Sequence, residues 1–137
     1  MSKLMSTKYS KTAFNLATLI LRVCLGAVMI PGHGWAKLSK FSEMQDKFMN
    51  FMGLGSQVSL GLVIFAEFFC AILLILGLFT RLAAIPLIVT MFVAITMAHG
   101  ADIFDKGQLP FVLLAGFLAI FILGPGKISI DGLISKK

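Results

Sequence analysis

The stretch "LILRVCLGAVMIPGHGWAKL", residues 19–38, decides the reading of this chain. Most of it is apolar enough to lie in lipid, yet Arg22 sits inside it and His33, Trp35 and Lys37 crowd its end. A helix that crosses a bilayer needs about 20 mostly apolar residues. Residues 14–35 meet that need, so the opening question is what a guanidinium in the middle of such a helix faces.

Composition supports a membrane reading. Of the 137 residues, 58% are hydrophobic and only 13% are charged, with a mean hydropathy of +0.98. Soluble domains keep about a quarter of their residues charged. The apolar residues here come in blocks, which predicts an all-α, polytopic membrane four-helix bundle in one unit over residues 1–137. The net charge of +6 fits basic flanks at a bilayer and gives no reason to expect nucleic acid as a partner. Cys24 and Cys70 lie in apolar stretches without a CxxC spacing, and read as buried free thiols. Lys3, Lys8 and Lys11 before an apolar run imitate a signal peptide. The run is too long for one and carries Arg22, so it reads as an uncleaved first span.

Three further spans follow, over residues 58–79, 82–98 and 109–123. Four spans put both termini on one side of the membrane. Lys3, Lys8, Lys11, Arg81, Lys127, Lys136 and Lys137 lie on that side, against Lys37, Lys40, Lys47 and Lys106 on the other. Basic residues favour the cytoplasmic face, so both termini are expected in the cytoplasm. In the first outer loop Phe41, Met44, Phe48, Phe51 and Met52 follow helical spacing, and Ser42 with Gln45 reads as a capping box. A short amphipathic helix in the outer interface is expected there. It would serve as an anchor, or as a lid over a site opening to that side. In the tail "GPGKISIDGLISKK", Ile128, Ile130, Leu133 and Ile134 are placed to dip into the inner interface. Gly61, Gly77 and Gly116 offer close helix contacts, within the chain or in a homodimer.

Rise per residue places Arg22 about 12 Å and Glu67 about 18 Å from the inner end of their spans. An unpaired charge at that depth costs at least ~2.5–3.5 kcal/mol, so the reading pairs Arg22 with Glu67, as a structural tie or as part of a site. Arg22, Gly26, Met29, His33 and Lys37 share one face of the first helix, and Pro31, Gly32 and Gly34 loosen its last turn. His99, closing the third span, comes out at the depth of His33, with Asp102 and Asp105 after it. The polar residues thus describe a funnel, with Arg22 and Glu67 at its base and His33, His99 and Lys37 at its mouth. A quinone or small phenol suits such an apolar slot with polar donors. A haem held by two histidines and a metal centre fit less well and are not expected. The motifs of nucleophilic catalysis, phosphate loops and dinucleotide folds do not occur.

Arg22, the run "HGWAKL" from His33, Glu67, the turn "LGLFTRLAA" with Gly77, Thr80 and Arg81, His99, and "GPGKISID" with Gly124, Pro125, Gly126 and Asp131 occur in an order that resembles the DoxX family. The resemblance extends over residues 14–131. It implies a four-helix inner-membrane bundle. It also implies, by likeness to some relatives, a subunit of a membrane oxidoreductase using quinone, with soluble redox subunits as partners. A small-solute or proton carrier, and a scaffold for soluble redox proteins, are the competing expectations.

Overall fold

A computed structural model describes residues 4–48, 53–98, 104–105 and 107–135. Its described residues are mostly helical, and no strand occurs among them. Helix α1 runs over Lys11–Ser39, a length of 29 residues. Ser10 caps its start by accepting from the Ala13 amide at 3.1 Å. A helical turn, α2, spans Phe41–Met44. Helix α3 covers the 21 residues Ser56–Leu76, and α4 runs from Thr80 to Val93. Helix α5 covers Gln108–Leu123, and a short α6 covers Ile130–Ile134.

Helices α1 and α3 are long and apolar enough to cross a membrane, while α4 and α5 are shorter apolar helices. The outside of the molecule is oily: Ile20, Phe69, Phe92 and Ile122 stand more than half exposed around it. Apolar surface on that scale is not left to water. Inside, Met29 of α1, Ala71 and Leu74 of α3, Leu87 and Met91 of α4, and Phe117 and Ile120 of α5 form one core. With inner naming the end of the helices where Lys127 meets Asn15 and outer the opposite end, helix α1 packs on the inner part of α3, α4 packs along α5, and α1 also meets α5.

Three helices carry a widened, π-type turn: Ile30–Gly34 in α1, Phe65–Cys70 in α3, and Ala94–Ala98 after α4. In α1 the cause is local, since Pro31 has no amide to give and Gly32 and Gly34 add freedom. π turns recur at functional sites.

Helix α1 runs past the expected first span, residues 14–35, at both ends, and α5 covers residues 109–123 of the expected fourth as a shorter apolar helix. The second ends early, because Gly77 (φ 73°) and Phe79 (φ 50°) turn the chain before residue 79. The loop helix starts at Phe41 with Lys40 before it, so Ser42 does not cap it; Gln45 instead donates to the Ser42 carbonyl. Phe51 and Met52 lie outside the described residues. Cys70 is buried, but Cys24 is exposed on the apolar exterior, against expectation. Of the three expected contact glycines, Gly116 faces Leu25 of α1 within the chain, Gly77 sits in the turn, and Gly61 faces open space.

Candidate functional site

The charged residues inside the molecule sort into two groups at opposite ends. The outer group is His33, Lys37 and Glu67. Lys37 Nζ lies 2.6 Å from Glu67 Oε1, and His33 Nδ1 lies 3.7 Å from Glu67 Oε2. Glu67 is almost fully buried, while the His33 and Lys37 side chains are partly exposed. Both partners stand on or just past the wide turn of α1, and Glu67 stands on the wide turn of α3. Gly34 brings these turns together: a Cβ there would lie 2.7 Å from the Glu67 carbonyl oxygen and 2.8 Å from the Phe68 amide nitrogen. Trp35 packs its ring against Phe68, with centroids 6.2 Å apart.

This cluster forms the polar wall of a cavity of about 460 Å³. The other walls are almost entirely apolar, with Leu62, Ala66, Pro86, Val89, Ala94 and Leu113 among them. The size lies within the ~300–1,000 Å³ usual for small-molecule sites. Thr90 also lines it, but its hydroxyl donates to the Pro86 carbonyl at 2.7 Å. A slot with one buried carboxylate, one ammonium and one imidazole offers both an acceptor and donors to an oxygen-bearing head group.

Arg22 belongs to the other group, which corrects the expected Arg22–Glu67 pair. Arg22 is fully buried. Its Nη1 donates to the carbonyls of Leu74 (3.4 Å) and Ile75 (3.3 Å), and its Nη2 donates to the carbonyl of Ile128. The acid whose charge reaches it is Asp131. The reason lies in side-chain direction. A helical side chain leans toward the N-terminus of its own helix. Helix α1 begins at the inner end, so Arg22 leans inward; α3 begins at the outer end, so Glu67 leans outward. The two therefore point apart, and Lys37, leaning inward from the outer end of α1, meets Glu67 instead. The expected funnel loses Arg22 from its base.

Arg22 completes an inner knot. The last carbonyls of a helix lack partners within it, and Arg22 serves those of α3. Arg81 does the same for α5, donating from Nε to the Phe121 carbonyl at 3.1 Å and from Nη2 to that of Ile122 at 3.4 Å. Asp131 caps the start of α4 by accepting from the amides of Phe79 (2.8 Å) and Thr80 (2.9 Å). The Asp131 amide donates to the Gly77 carbonyl at 2.8 Å, and the Lys127 amide donates to Asn15 Oδ1 at 3.0 Å. The tail thus ties α1, α3 and α4 together, beyond the expected interfacial role. Ile128, Leu133 and Ile134 remain exposed along it. Asn15 and Asp131 carry the knot, and sequence reading missed them as functional ties. Their signal was a carboxylate and an amide at the expected inner level. His99 and Asp102 lie outside the described residues. No group of three or more metal-ligating side chains occurs among the described residues.

Residues 17–100 match the DoxX family model. An uncharacterized protein of Haemophilus influenzae is 31% identical over 107 residues, covering 74% of this chain and 71% of that protein. The inner membrane protein YqjF of Escherichia coli K12 is 31% identical over 129 residues, covering 90% of this chain and 95% of that protein. No solved structure matches the chain. The matched span takes in Arg22, His33, Lys37 and Glu67, the residues that define the inner knot and the outer cluster, and on that match the chain belongs to the DoxX family of membrane proteins.

Proposed function

We propose that this protein is a four-helix subunit of the bacterial inner membrane that binds the head group of a quinone or small phenol for a membrane oxidoreductase complex. The observation that carries the reading is the Lys37–Glu67 pair, with His33 beside it, set as the charged wall of an otherwise apolar cavity. A quinone carbonyl needs a donor, which Lys37 or His33 supplies. A phenol or quinol hydroxyl needs an acceptor, which Glu67 supplies. The pair thereby suits both redox states of one head group. Electrons leave or arrive through soluble redox subunits docked on the membrane part, with a homodimer as a further arrangement.

The topology of this reading puts both termini in the cytoplasm. The basic asymmetry supports it, as does the meeting of Lys127 with Asn15, which brings the two ends of the chain to one end of the helices. The name of the Escherichia coli relative supports the inner membrane as location.

The test is native purification in lipid nanodiscs, solvent extraction and mass spectrometry. The wild type should yield a quinone or phenol in stoichiometric amount, and Glu67→Gln should lose it while keeping its helical circular dichroism. Equal recovery from both proteins, in proportion to the lipid carried along, would sink the reading.

A further inference from the structure

The cavity is open along one side, and the rim of that opening is apolar. Leu62 and Phe65 of α3, Ile85 and Val89 of α4, and Leu109 of α5 line the cavity and are each about half exposed. The opening exists because α3 changes neighbours along its length. Its wide turn and inner part pack on α4, whereas its outer segment Ser56–Ile64 packs on the Trp35–Ser39 part of α1. Between that outer segment and α4 the helices part and leave a cleft.

The depth of the cleft says what it opens to. Val89 stands nine residues beyond the start of α4 at Thr80, and Glu67 stands nine residues before the end of α3 at Leu76. A rise of ~1.5 Å per residue puts both about 14 Å from the inner ends of their helices. That level is mid-depth in a hydrocarbon core of ~30 Å. By the same rise Ile85, Phe65, Leu62 and Leu109 stand about 8 to 21 Å from the inner ends of their helices, so this rim of Leu, Ile, Val and Phe lies within the depth of the hydrocarbon core and faces lipid chains. Among the described residues the charged wall is formed by Glu67, Lys37 and His33.

From this arrangement we infer that the ligand is a membrane-dissolved amphiphile. It enters sideways from the bilayer, with its polar head at Glu67 and Lys37 and a prenyl or alkyl tail lying in the cleft between Leu62 and Phe65 on one side and Ile85 and Val89 on the other. The inference rests on the head-group reading above and adds the tail, the route and the exclusion of water-soluble analogues. It replaces the expected outward-opening funnel with a lateral portal. Continuity carries it: one cavity has a charged end sized for a head group and an apolar end open to lipid, so one molecule with both parts fills it.

The protein's single tryptophan, Trp35, lies two residues from both His33 and Lys37 and reports on the head. The experiment titrates wild-type protein in phosphatidylcholine–phosphatidylglycerol nanodiscs with ubiquinone-2, with tailless ubiquinone-0, and with a sulfonated naphthoquinone that stays in water. Trp35 quenching is read against quinone concentration in the bilayer, so that partitioning cancels. Ubiquinone-2 should saturate at least tenfold below ubiquinone-0, and the sulfonated compound should not saturate. The double variant Leu62→Phe, Val89→Phe narrows the cleft with residues that lipid accepts. It should remove the tenfold advantage of the tail, read as the ratio of the two affinities within the same variant. Equal affinities for tailed and tailless quinones, indifferent to the double variant, would overturn the cleft assignment and leave it to bilayer acyl chains, with the head-group reading intact. Quenching by no quinone in saturable form would overturn both.

Discussion

Replacing Arg22 by leucine separates the two charged groups experimentally. The wild-type guanidinium serves three backbone carbonyls, those of Leu74, Ile75 and Ile128. The Leu74 carbonyl also accepts from the Gly77 amide at 3.2 Å, so it keeps a partner. The Ile75 and Ile128 carbonyls lose the donor that the guanidinium supplied. Each orphaned carbonyl, being only partly buried, costs at most about 1–3 kcal/mol. Against that stands the recovered cost of burying a guanidinium, which leucine does not incur. The expected net loss is ~2–4 kcal/mol, among the larger effects of single substitutions. The assay is reversible unfolding in mixed micelles, followed by circular dichroism. Arg22→Lys should fall between leucine and wild type, because an ammonium reaches fewer carbonyls than the planar fork. The decisive measurement is the double-mutant cycle with Glu67→Leu. Glu67 lies seven residues before Leu74, about 10 Å along α3 at helical rise, and the two groups share no partner among the described residues. Their effects should therefore add within ~0.5 kcal/mol. A coupling energy above ~1 kcal/mol would refute the separation of the inner knot from the outer cluster.

Other substitutions probe single contacts. Gly34→Ala sets a methyl 2.7 Å from a backbone carbonyl of α3; rigid backbone cannot yield, so a loss of ~1–3 kcal/mol is expected in the same unfolding assay. Asp131→Ala removes the cap of α4, and should cost about 1–2 kcal/mol and raise protease sensitivity at residues 124–135. Glu67→Gln leaves Lys37 an uncharged acceptor; with Lys37 partly exposed to water the fold should lose under ~2 kcal/mol, measured as above, even as the proposed head group is lost. Cysteines introduced at residues 46 and 54 should react with a membrane-impermeant maleimide from outside the cell, and one at residue 127 only after the membrane is opened.

The order of the apolar helices was legible because it follows from apolar blocks alone; their bounds were legible only in part, since the turn at Gly77 and Phe79 ends α3 before the expected residue 79. The shared face of Arg22, Gly26 and Met29 was legible too, and all three are buried in the structure. The partner of Arg22 was not read correctly, although the information was in the sequence. Depth along the membrane is a scalar, and by depth Arg22 and Glu67 looked like neighbours. Direction is the missing quantity: antiparallel helices aim their side chains at opposite ends, which turns two residues at similar depth away from each other. The same rule selects Lys37 for Glu67. The knot built by residues 124–131 was harder to read. It depends on a tail folding back onto the α3–α4 turn, and no periodicity in a stretch of Gly, Pro and Ser announces which amide it will meet.

The two groups divide the molecule by mechanical character. At the inner end, the ends of α3 and α5 are each met by an arginine and the start of α4 by Asp131, so the knot ties α1, α3, α4, α5 and the tail to one another. At the outer end no comparable knot occurs among the described residues; there the helices carry their wide turns, and α3 leaves α4 for α1. A π turn places one residue more in the turn than the ladder of an α-helix does, and shifts the face presented beyond it. Two such turns meet at Gly34 and Glu67. That offset carries Lys37 and His33 around α1 to reach Glu67, and the swing of α3 toward α1 is what opens the cleft. The inner knot makes this arrangement affordable: with one end of the helices fixed, the other can keep a cavity without losing the packing of the core. Arg22, which contacts no part of the cavity, therefore acts on it at a distance. Its loss should loosen the inner ends of the helices first and weaken the proposed head-group binding only as the core follows.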